Sequence, residues 1–508
     1  MLNNNKKLIE VALPLEAINN GCAQEKNPFL KGHPRSTHLW WARRPLAAAR
    51  AVIFSQMVDD PSSHPERFPT QIEQEAERVR LFGIIENLVK WENVHNEDIL
   101  ASAHEEILKN WRDICDVSQS NPQAAELFNP DKVPALHDPF AGGGTIPLEA
   151  QRLGLEAYAS DLNPVAVMIN KAMIEIPPRF EGQPPVNPAS SHLSGVWPEA
   201  SGLADDVRYY GEWMRKQALK RIGHIYPKVK DRYGFEHSVI AWIWARTVKC
   251  PNPVCGCEMP LASSFELSKK KGKETYIQPI IEGKKVRYEI GYGKVVPKPP
   301  KIARGAKFMC VCCGGATTPE YIKNEALARR TNTVLMAIVA DSKVGRLYFS
   351  PDEVHIAAAK IDKPADYPTQ ELANDPRNIW CLSYGLDSFD KLFTNRQLVA
   401  LVTFSELITE VRSQIERDGG NDEYAKAISV YLACGVSQIC RYSCSICGWN
   451  KTNENVAQVF GRQAIPMVWD FAESNTLEGP LNITSTIEWV ASVGSVKISV
   501  LLPSRHFK

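Results

Sequence analysis

The sequence has no apolar run near the roughly 20 residues that a membrane-spanning helix requires, and no signal peptide at its start. It also has no excess of charge, because 59 Lys and Arg face 58 Asp and Glu, for a formal net charge of +1. Any contact with nucleic acid must therefore come from a local basic patch. No internal repeat is present. These absences predict a cytoplasmic protein without a membrane partner, and 508 residues allow two or three domains.

The most informative stretch is residues 138–145, Asp-Pro-Phe-Ala-Gly-Gly-Gly-Thr, which we call the glycine turn. A short apolar strand is predicted at 133–137 and a helix at 146–153, so the glycines lie where a strand turns into a helix. Without Cβ atoms, they allow a ligand to approach the backbone. A second predicted strand, 156–160, leads to Asp161, which is placed to accept hydrogen bonds from ribose hydroxyls. The pattern predicts half of a nucleoside-cofactor site.

Two cofactor classes do not fit this turn. ATP or GTP sites need Gly-Lys-Ser or Gly-Lys-Thr, but Thr145-Ile146-Pro147 follows, and the dinucleotide pattern G-x-G-x-x-G is missing. Asp-Pro-Phe-x-Gly-x-Gly instead resembles motif I of S-adenosylmethionine-dependent DNA amino-methyltransferases. The resemblance implies a methionine seat in the glycine turn and a ribose contact at Asp161. The alternative is a turn whose glycines serve packing alone. The predicted cofactor-binding residues are Asp138, Pro139, Phe140, Gly142, Gly144, Asp161 and Asn163.

The N-terminal part contains the unusual run 33–46, with Trp40-Trp41-Ala42-Arg43-Arg44-Pro45 at its centre. Pro45 can open a helix, and 47–57 continues as an apolar one. The placement resembles motif X of amino-methyltransferases, which closes over the methionine end of the cofactor. Arg43 and Arg44 are suited to a carboxylate or phosphate. The alternative is that the tryptophans are core aromatics and the arginines a solvated face. Residues 62–132 are predicted to be a helical insertion without assigned chemistry.

Most of the 13 cysteines lie in two clusters. The first has two pairs, each followed by glycine, and looks like a zinc ribbon with four thiolates around Zn²⁺: Cys250, Cys255, Cys310 and Cys313. Cys257 and Cys312 are extra and could substitute, and the alternative is a set of reduced structural cysteines. The second cluster, Cys440, Cys444 and Cys447, has the spacing of an iron–sulfur site in radical S-adenosylmethionine enzymes. Because about 60 residues follow, too few for their barrel, buried thiols are predicted instead.

Between the cysteine pairs the chain is basic. Residues 263–307 contain twelve Lys and Arg against four Asp and Glu, with Tyr276, Tyr288 and Tyr292 interleaved. A basic β module with aromatic side chains predicts contact with a phosphate backbone, although a solvated hairpin rim has the same composition. A predicted helix at 205–226 is also basic, and a solvated face is the more common reading of such a helix: Arg208, Arg215, Lys216, Lys220 and Arg221.

Taken together, these motifs resemble the bacterial and archaeal family of zinc-ribbon-containing adenine-specific DNA methylases, whose N-terminal part is catalogued as a domain of unknown function. The matching stretches are 40–45, 138–144, 160–164, the cysteine pairs, 393–398 and 460–470. The resemblance implies an α/β fold: a partial Rossmann-like class I methyltransferase core, helical insertions and a β-rich zinc ribbon. It also implies DNA as a partner, with relatives in phage-defence or modification systems.

The chain departs from this family in one motif. The (Asp/Asn/Ser)-Pro-Pro-(Tyr/Phe) sequence that orients and stacks a flipped adenine is missing, since 176–179 and 298–301 do not fit it. No catalytic residue is therefore assigned, and a downstream polypeptide is expected to supply catalysis. The alternative is a non-catalytic DNA-binding or assembly subunit, or a degenerate fragment. The predicted segments are 1–61, 62–132, 133–180, 199–245 (helical connector), 246–330 (zinc ribbon) and 331–508.

Overall fold

The computed structural model describes residues 5–27, 30, 32–193 and 195–494. Two compact units are present. Unit 1 comprises the described residues of Met1–Tyr209, Ile415–Cys434 and Glu488–Lys508, and unit 2 those of Tyr210–Gln414 and Gly435–Ile487. Helices dominate unit 1 and antiparallel strands dominate unit 2, so the predicted mixture of helices and strands is confirmed.

Unit 1 is built mainly from helices whose starts are encoded locally. Thr70 and Glu73 form a reciprocal capping box at one helix, and the Asn96 side chain accepts two backbone N–H groups at the next. Apolar side chains from these helices, including Ile85 and Ile107, form one core with Phe54. The helices before the glycine turn are Leu8–Val11, Leu15–Gln24, Leu46–Met57, Gln71–Leu88, Glu97–Val117 and Ala124–Leu127.

A parallel strand pair forms the part of unit 1 that carries the glycine turn. Strand Leu136–Asp138 pairs with Ala157–Ala159, and helix Thr145–Arg152 connects them. Both strands are shorter than predicted; Pro134, which has no amide hydrogen, precedes the first. Carboxyl ends of parallel strands meet at one edge, so the glycine turn and Asp161 come together there. Elsewhere in the described ranges, the named strands pair antiparallel.

After Asp161, helix Pro164–Asn170 continues through a π-helical turn at Lys171–Glu175 into Ile176–Arg179. A π turn shifts the backbone hydrogen bonds by one residue and so leaves a carbonyl for another donor. The Tyr431 hydroxyl donates to the Ala172 carbonyl at 2.7 Å. This bond ties the π turn to helix Asp422–Cys440 within the same unit.

Unit 2 contains a five-stranded antiparallel sheet around strand Val239–Lys249. That strand is apolar almost throughout and buried along nearly its whole length, as expected for a central strand covered on both faces. It lies in the segment 199–245, predicted to be a helical connector; the chain is helical to Ile225, and the prediction is wrong from Val229 onward, where strands begin. The other strands of this sheet are Glu258–Pro260, Asn332–Ser342, Gly345–Phe349 and Asp470–Ser474.

Smaller elements complete unit 2. The basic segment forms two three-stranded sheets, Glu266–Ser268 with Thr275–Glu282 and Lys285–Tyr292, and Lys301–Ala303 with Lys307–Met309 and Ala316–Thr317. Two further pairs join Val229–Lys230 to Glu236–His237 and Trp449–Asn450 to Asn455–Val456. Helices Pro319–Leu327 and Glu353–Ala358 lie in this unit. Four further helices each contribute residues to both units: Ser201–Ile222, Asn395–Arg417, Asp422–Cys440 and Ile483–Gly494. Among the described residues, no helix combines the length and apolarity needed to cross a bilayer.

Candidate cofactor site and candidate metal centre

The glycine turn and Asp161 are joined by a direct hydrogen bond. The Gly142 N–H donates to Asp161 Oδ2 at 2.9 Å, and the Asn163 N–H donates to Asp161 Oδ1 at 2.8 Å. The N–H groups of Asn163 and Gly142 hold the pKa of Asp161 below its usual range. The carboxylate that ends the second strand is therefore ionised and anchors the turn, while each oxygen keeps a lone pair for a further donor.

The other predicted cofactor residues surround this bond. Asp138 Oδ1 accepts the Phe140 N–H at 3.0 Å, which shapes the start of the turn at Pro139. Asn163 Oδ1 accepts the Val165 N–H, so this side chain caps helix Pro164–Asn170. Phe140 is 82% exposed and Leu162, next to Asp161, is 99% exposed. Two large apolar side chains, one in the glycine turn and one following Asp161, are thus exposed to solvent.

Side chains from other parts of the chain pack against the backbone of the glycine turn. A Cβ at Gly142 would lie 2.7 Å from Trp40 Nε1, and one at Gly144 would lie 2.9 Å from Asn170 Oδ1. Both glycines also have positive φ, +50° and +74°, which disfavours other residues. Packing alone thus explains why these positions are glycine. The turn was predicted to face a ligand, and the structure places Trp40 against it.

Two buried polar atoms beside the turn have no hydrogen-bond partner among the described residues. They are Arg43 Nε and Asn170 Oδ1, a donor and an acceptor. Burial, with the charge of Arg35, lowers the pKa of Arg43 to about 10, which leaves it cationic. Asn170 Nδ2 also donates to the Gly142 carbonyl at 3.1 Å. Sequence reasoning did not predict Asn170, because it reaches the turn only through tertiary packing.

A cavity of about 360 Å³ adjoins Asp161 on the side of the second strand. Its polar lining includes Ser160, Asp161, Asn170 and two cations, Lys171 and Arg179. Glu175 lies within 3.8 Å of Lys171 and 3.6 Å of Arg179, so the cations are partly neutralised. The cavity is in the size range of small-molecule sites.

The four cysteines predicted as metal ligands converge in unit 2. Their sulfur atoms all lie within 4.8 Å of one another, and this group could hold a metal ion: Cys250, Cys255, Cys310 and Cys313. Cys250 and Cys313 sulfurs are 3.7 Å apart, and Cys255 and Cys310 sulfurs 3.8 Å apart. A tetrahedron with Zn–S bonds of about 2.3 Å has edges of about 3.8 Å. These two separations match a tetrahedral thiolate site.

The pKa values of the thiols differ between the cysteines of this cluster. Cys313 is exposed, and the Gly315 N–H lowers the pKa of its thiol to about 7. Burial raises the pKa of Cys250 to about 12. The two extra cysteines, Cys257 and Cys312, are paired with each other as a disulfide.

The second cysteine cluster lies apart from this group. Cys444 and Cys447 are buried, as predicted, with sulfur atoms 3.2 Å apart. Cys440 is only partly buried, at the end of helix Asp422–Cys440, and its thiol faces the Val436 carbonyl. The described residues give these three sulfurs no common metal-ligating arrangement.

The basic segment presents charge more than aromatic rings. Tyr288 is 3% exposed and packs in the core, and Tyr276 lies close over Gly291, so only Tyr292, at 70%, stands free as a stacking surface among the three tyrosines. The expected interleaving of aromatics is thus wrong for Tyr288, because alternation along its strand turns it inward. Eight exposed cations of this segment form no ion pair within the described residues, and one of them, Lys273, donates to the Val344 carbonyl. The other seven also make no side-chain hydrogen bond there: Lys271, Lys284, Lys285, Lys294, Lys298, Arg304 and Lys307.

The arginines of the basic helix Ser201–Ile222, unlike the seven cations above, form ion pairs within the protein. Arg208 pairs with Glu488 in unit 1, and Arg215 and Arg221 pair with Glu212 and Glu410 in unit 2, at 2.6 to 2.7 Å. Its arginines are therefore used within the protein, which favours the solvated-face interpretation.

Comparison with known proteins adds little about activity. A family model described as a protein of unknown function (DUF1156) matches residues 12–84, a stretch that includes the two tryptophans and Arg43. No curated protein and no solved structure matches the chain. The match covers a small part of the sequence and carries no activity with it.

Proposed function

We propose that this chain is the cofactor-binding and DNA-contacting portion of an S-adenosylmethionine-dependent DNA adenine-N6 methyltransferase, acting in the cytoplasm with a catalytic part from another polypeptide. The observation that carries the proposal is the bond between the Gly142 N–H and Asp161. It joins a Gly-rich strand-to-helix turn to the acid ending the next parallel strand, the arrangement that nucleoside cofactors use. When bound, the cofactor would supply an electrophilic methyl group on its sulfonium.

The unpaired polar atoms beside the turn suit the methionine end of that cofactor. Arg43 Nε is a cationic donor for a carboxylate, and Asn170 Oδ1 is an acceptor for an ammonium group. Asp161 keeps lone pairs for ribose hydroxyls, and the glycine turn and the residue after Asp161 each offer an exposed apolar side chain, Phe140 and Leu162. In this proposal the chain's own residues bind and orient, and their contribution to catalysis is proximity.

Binding measurements test this site directly. Calorimetry with S-adenosylmethionine should give heat with the wild type and with Asp131→Ala, a control that removes an exposed acid of the same unit. Asp161→Ala should bind at least about tenfold more weakly, the loss of one or more hydrogen bonds to a charged group. Wild-type protein without binding heat would contradict the proposal. Methyl transfer to DNA by this chain alone would overturn the account of the missing catalytic motif.

Zinc at the four-cysteine cluster belongs to the same proposal. Two sulfur separations near the tetrahedral edge support it. Elemental analysis of protein purified without chelator should find about one zinc per chain, none in Cys313→Ser, and an unchanged content in Cys22→Ser. Zinc-free wild-type protein would remove the metal from the proposal.

DNA is the proposed partner, through the seven unpaired cations of the basic segment. A second candidate function, a non-catalytic DNA-binding or assembly subunit of a defence or modification system, is favoured by one observation. Trp40 already covers the glycine turn, and Asp161 is already hydrogen-bonded to it. DNA binding without any cofactor heat would select this candidate.

A further inference from the structure

The cysteine-rich end of the ribbon holds more sulfur than a tetrahedral metal site needs. Beyond the four converging cysteines, Cys257 follows Cys255 by two residues, and Cys312 lies between Cys310 and Cys313. Cys257 is fully buried, and Cys312 is partly exposed. Both extra sulfurs therefore stand on the same two knuckles as the metal ligands.

These two sulfurs form a second group that overlaps the first. Cys257, Cys310 and Cys312 have sulfur atoms within 4.8 Å of one another, and Cys310 also belongs to the four-cysteine group. The Cys257–Cys312 bond joins residues 55 positions apart in sequence. Within the first knuckle, the Cys250 N–H donates to the Cys257 carbonyl at 2.8 Å, which holds Cys257 beside one of the four converging cysteines. The Cys257–Cys312 pair thus connects one knuckle to the other, as a metal ion held by the four converging cysteines would.

We propose that Cys257 and Cys312 form a reversible cross-link that closes the ribbon independently of its metal. In the dithiol state, closure depends on the metal, and in the disulfide state it does not. The pair is then a redox modification site on the proposed DNA-contacting module. Cross-link formation rests on the six sulfurs alone and does not require the methyltransferase assignment.

The chemistry balances with glutathione as the only co-reactant. Reduction begins when a glutathione thiolate attacks the accessible Cys312 sulfur, which breaks the Cys257–Cys312 bond and leaves Cys257 as a thiolate that takes up a proton. A second glutathione attacks the mixed disulfide, releasing oxidised glutathione and the Cys312 thiol. Oxidation is the reverse: two protein thiols and one oxidised glutathione give the cross-link and two reduced glutathiones. Burial of Cys257 directs attack to Cys312.

Counting thiols tests the cross-link. Zinc-loaded full-length protein is equilibrated with oxidised or reduced glutathione, denatured with alkylating reagent and chelator, and mapped. Oxidation should leave 11 of the 13 cysteines alkylated and one linked pair of peptides containing Cys257 and Cys312. Reduction should give 13. The matched control pair is Cys444 and Cys447, close but fully buried, which should stay unlinked. Thirteen alkylated cysteines after oxidation, or a different linked pair, would overturn the proposal.

Closure without metal is tested by hydrogen exchange. After a chelator is added, strands Lys307–Met309 and Ala316–Thr317 of the oxidised wild type should exchange at least tenfold more slowly than those of reduced protein. The double variant Cys257→Ser/Cys312→Ser should exchange fast in both buffers. Equal rates in oxidised and reduced wild type would overturn the proposal.

Metal content separates the two hypotheses about this cluster. If reduced wild type binds two metal ions per chain and the double serine variant binds one, Cys257 and Cys312 are ligands and the cross-link proposal fails. If no metal binds, the four-cysteine metal centre fails, while the thiol count still decides the cross-link.

Discussion

At the scale of single residues, His33 shows how the fold of unit 1 suppresses a charge. Its ring is 5% exposed, stacks on Trp91 with centroids 5.2 Å apart, and accepts the Arg35 N–H at Nδ1. Burial, with the nearby charges of Arg35, Arg43 and Arg152, lowers the pKa of His33 to about 3. Protonation of this imidazole would add a fourth positive charge beside three cations, and it is therefore disfavoured.

This pKa predicts acid sensitivity of unit 1. Between the unfolded value of about 6.5 and the folded value, the unfolded chain binds a proton that the folded chain refuses, so stability falls as pH falls. From pH 7 to pH 5 the free energy of unfolding should drop by about 2 kcal/mol more in the wild type than in His33→Asn, which keeps a capping acceptor. Denaturant titrations at both pH values measure the difference, and identical pH dependences would exclude His33 as the cause.

At the scale of elements, the glycine turn is held by a side chain roughly a hundred residues earlier. A Cβ on Gly142 or Gly143 would lie 2.7 or 3.1 Å from Trp40, and one on Gly144 would meet Met173 and Asn170. The strand–turn–helix order follows from local sequence. The identity of the side chain that covers it does not, because Trp40 belongs to a separate segment.

Gly142→Ala should therefore destabilise unit 1 for two reasons. A positive φ costs an alanine about 1 kcal/mol, and the contact with Trp40 adds about 1 to 3 kcal/mol of overpacking. Gly182→Ala is the matched control, since Gly182 has φ +71° and no atom within 4 Å of the added Cβ, so it should show the first cost alone. Urea unfolding measures both.

Combining Gly142→Ala with Trp40→Ala should recover the overpacking part, seen as a coupling energy in the double-mutant cycle. Additive losses would mean that Trp40 does not press on the turn.

In unit 2, one buried ion pair connects helix Asn395–Arg417 to strand Asp470–Ser474. Arg396 Nε and Nη2 donate to the two carboxylate oxygens of Glu473 at 3.0 and 2.6 Å, and both side chains are 1% exposed. Trp244 Nε1 also donates to Glu473, and the guanidinium lies 3.9 Å from the ring centroid of Trp242. Every partner is supplied from within unit 2.

Glu473→Gln should cost about 3 to 5 kcal/mol, because it leaves the buried Arg396 charge uncompensated. The double variant Arg396→Met/Glu473→Leu should lose less than the sum of the two single variants, as each removes a charge that the other needs. Denaturant midpoints test this, with Glu289→Gln at an exposed pair expected to change little. A small loss in Glu473→Gln would show that the pair is dispensable.

At the scale of the whole molecule, the net charge is close to zero, while one segment carries a local excess of positive charge. The chain carries only +1 overall, yet seven exposed cations with neither an ion pair nor a side-chain hydrogen bond among the described residues fall within 263–307. The proposed DNA binding should weaken steeply with salt, with a slope of log affinity against log salt of up to about −6, from 0.9 per phosphate contact.

Replacing Lys284, Lys285, Lys294 and Lys298 by Gln should flatten that slope by about 3 to 4. The control replaces four exposed lysines of unit 1, Lys26, Lys90, Lys109 and Lys132, and so changes net charge equally. Equal effects of the two sets, measured by fluorescence anisotropy over a range of salt, would place the DNA contact elsewhere.

Local sequence patterns alone determined the strand–turn–helix around the glycines and the helical character of 62–132, because each depends on near neighbours in the chain. They also determined that the four cysteines form one cluster, because each cysteine pair lies on a turn with its own Cys-Gly sequence. Tertiary structure decided that Trp40 covers the turn, that Asn170 reaches its carbonyl, that Tyr288 turns inward and that Cys257 meets Cys312. Those contacts join residues tens to more than a hundred positions apart, and only the packing of whole elements brings such side chains together.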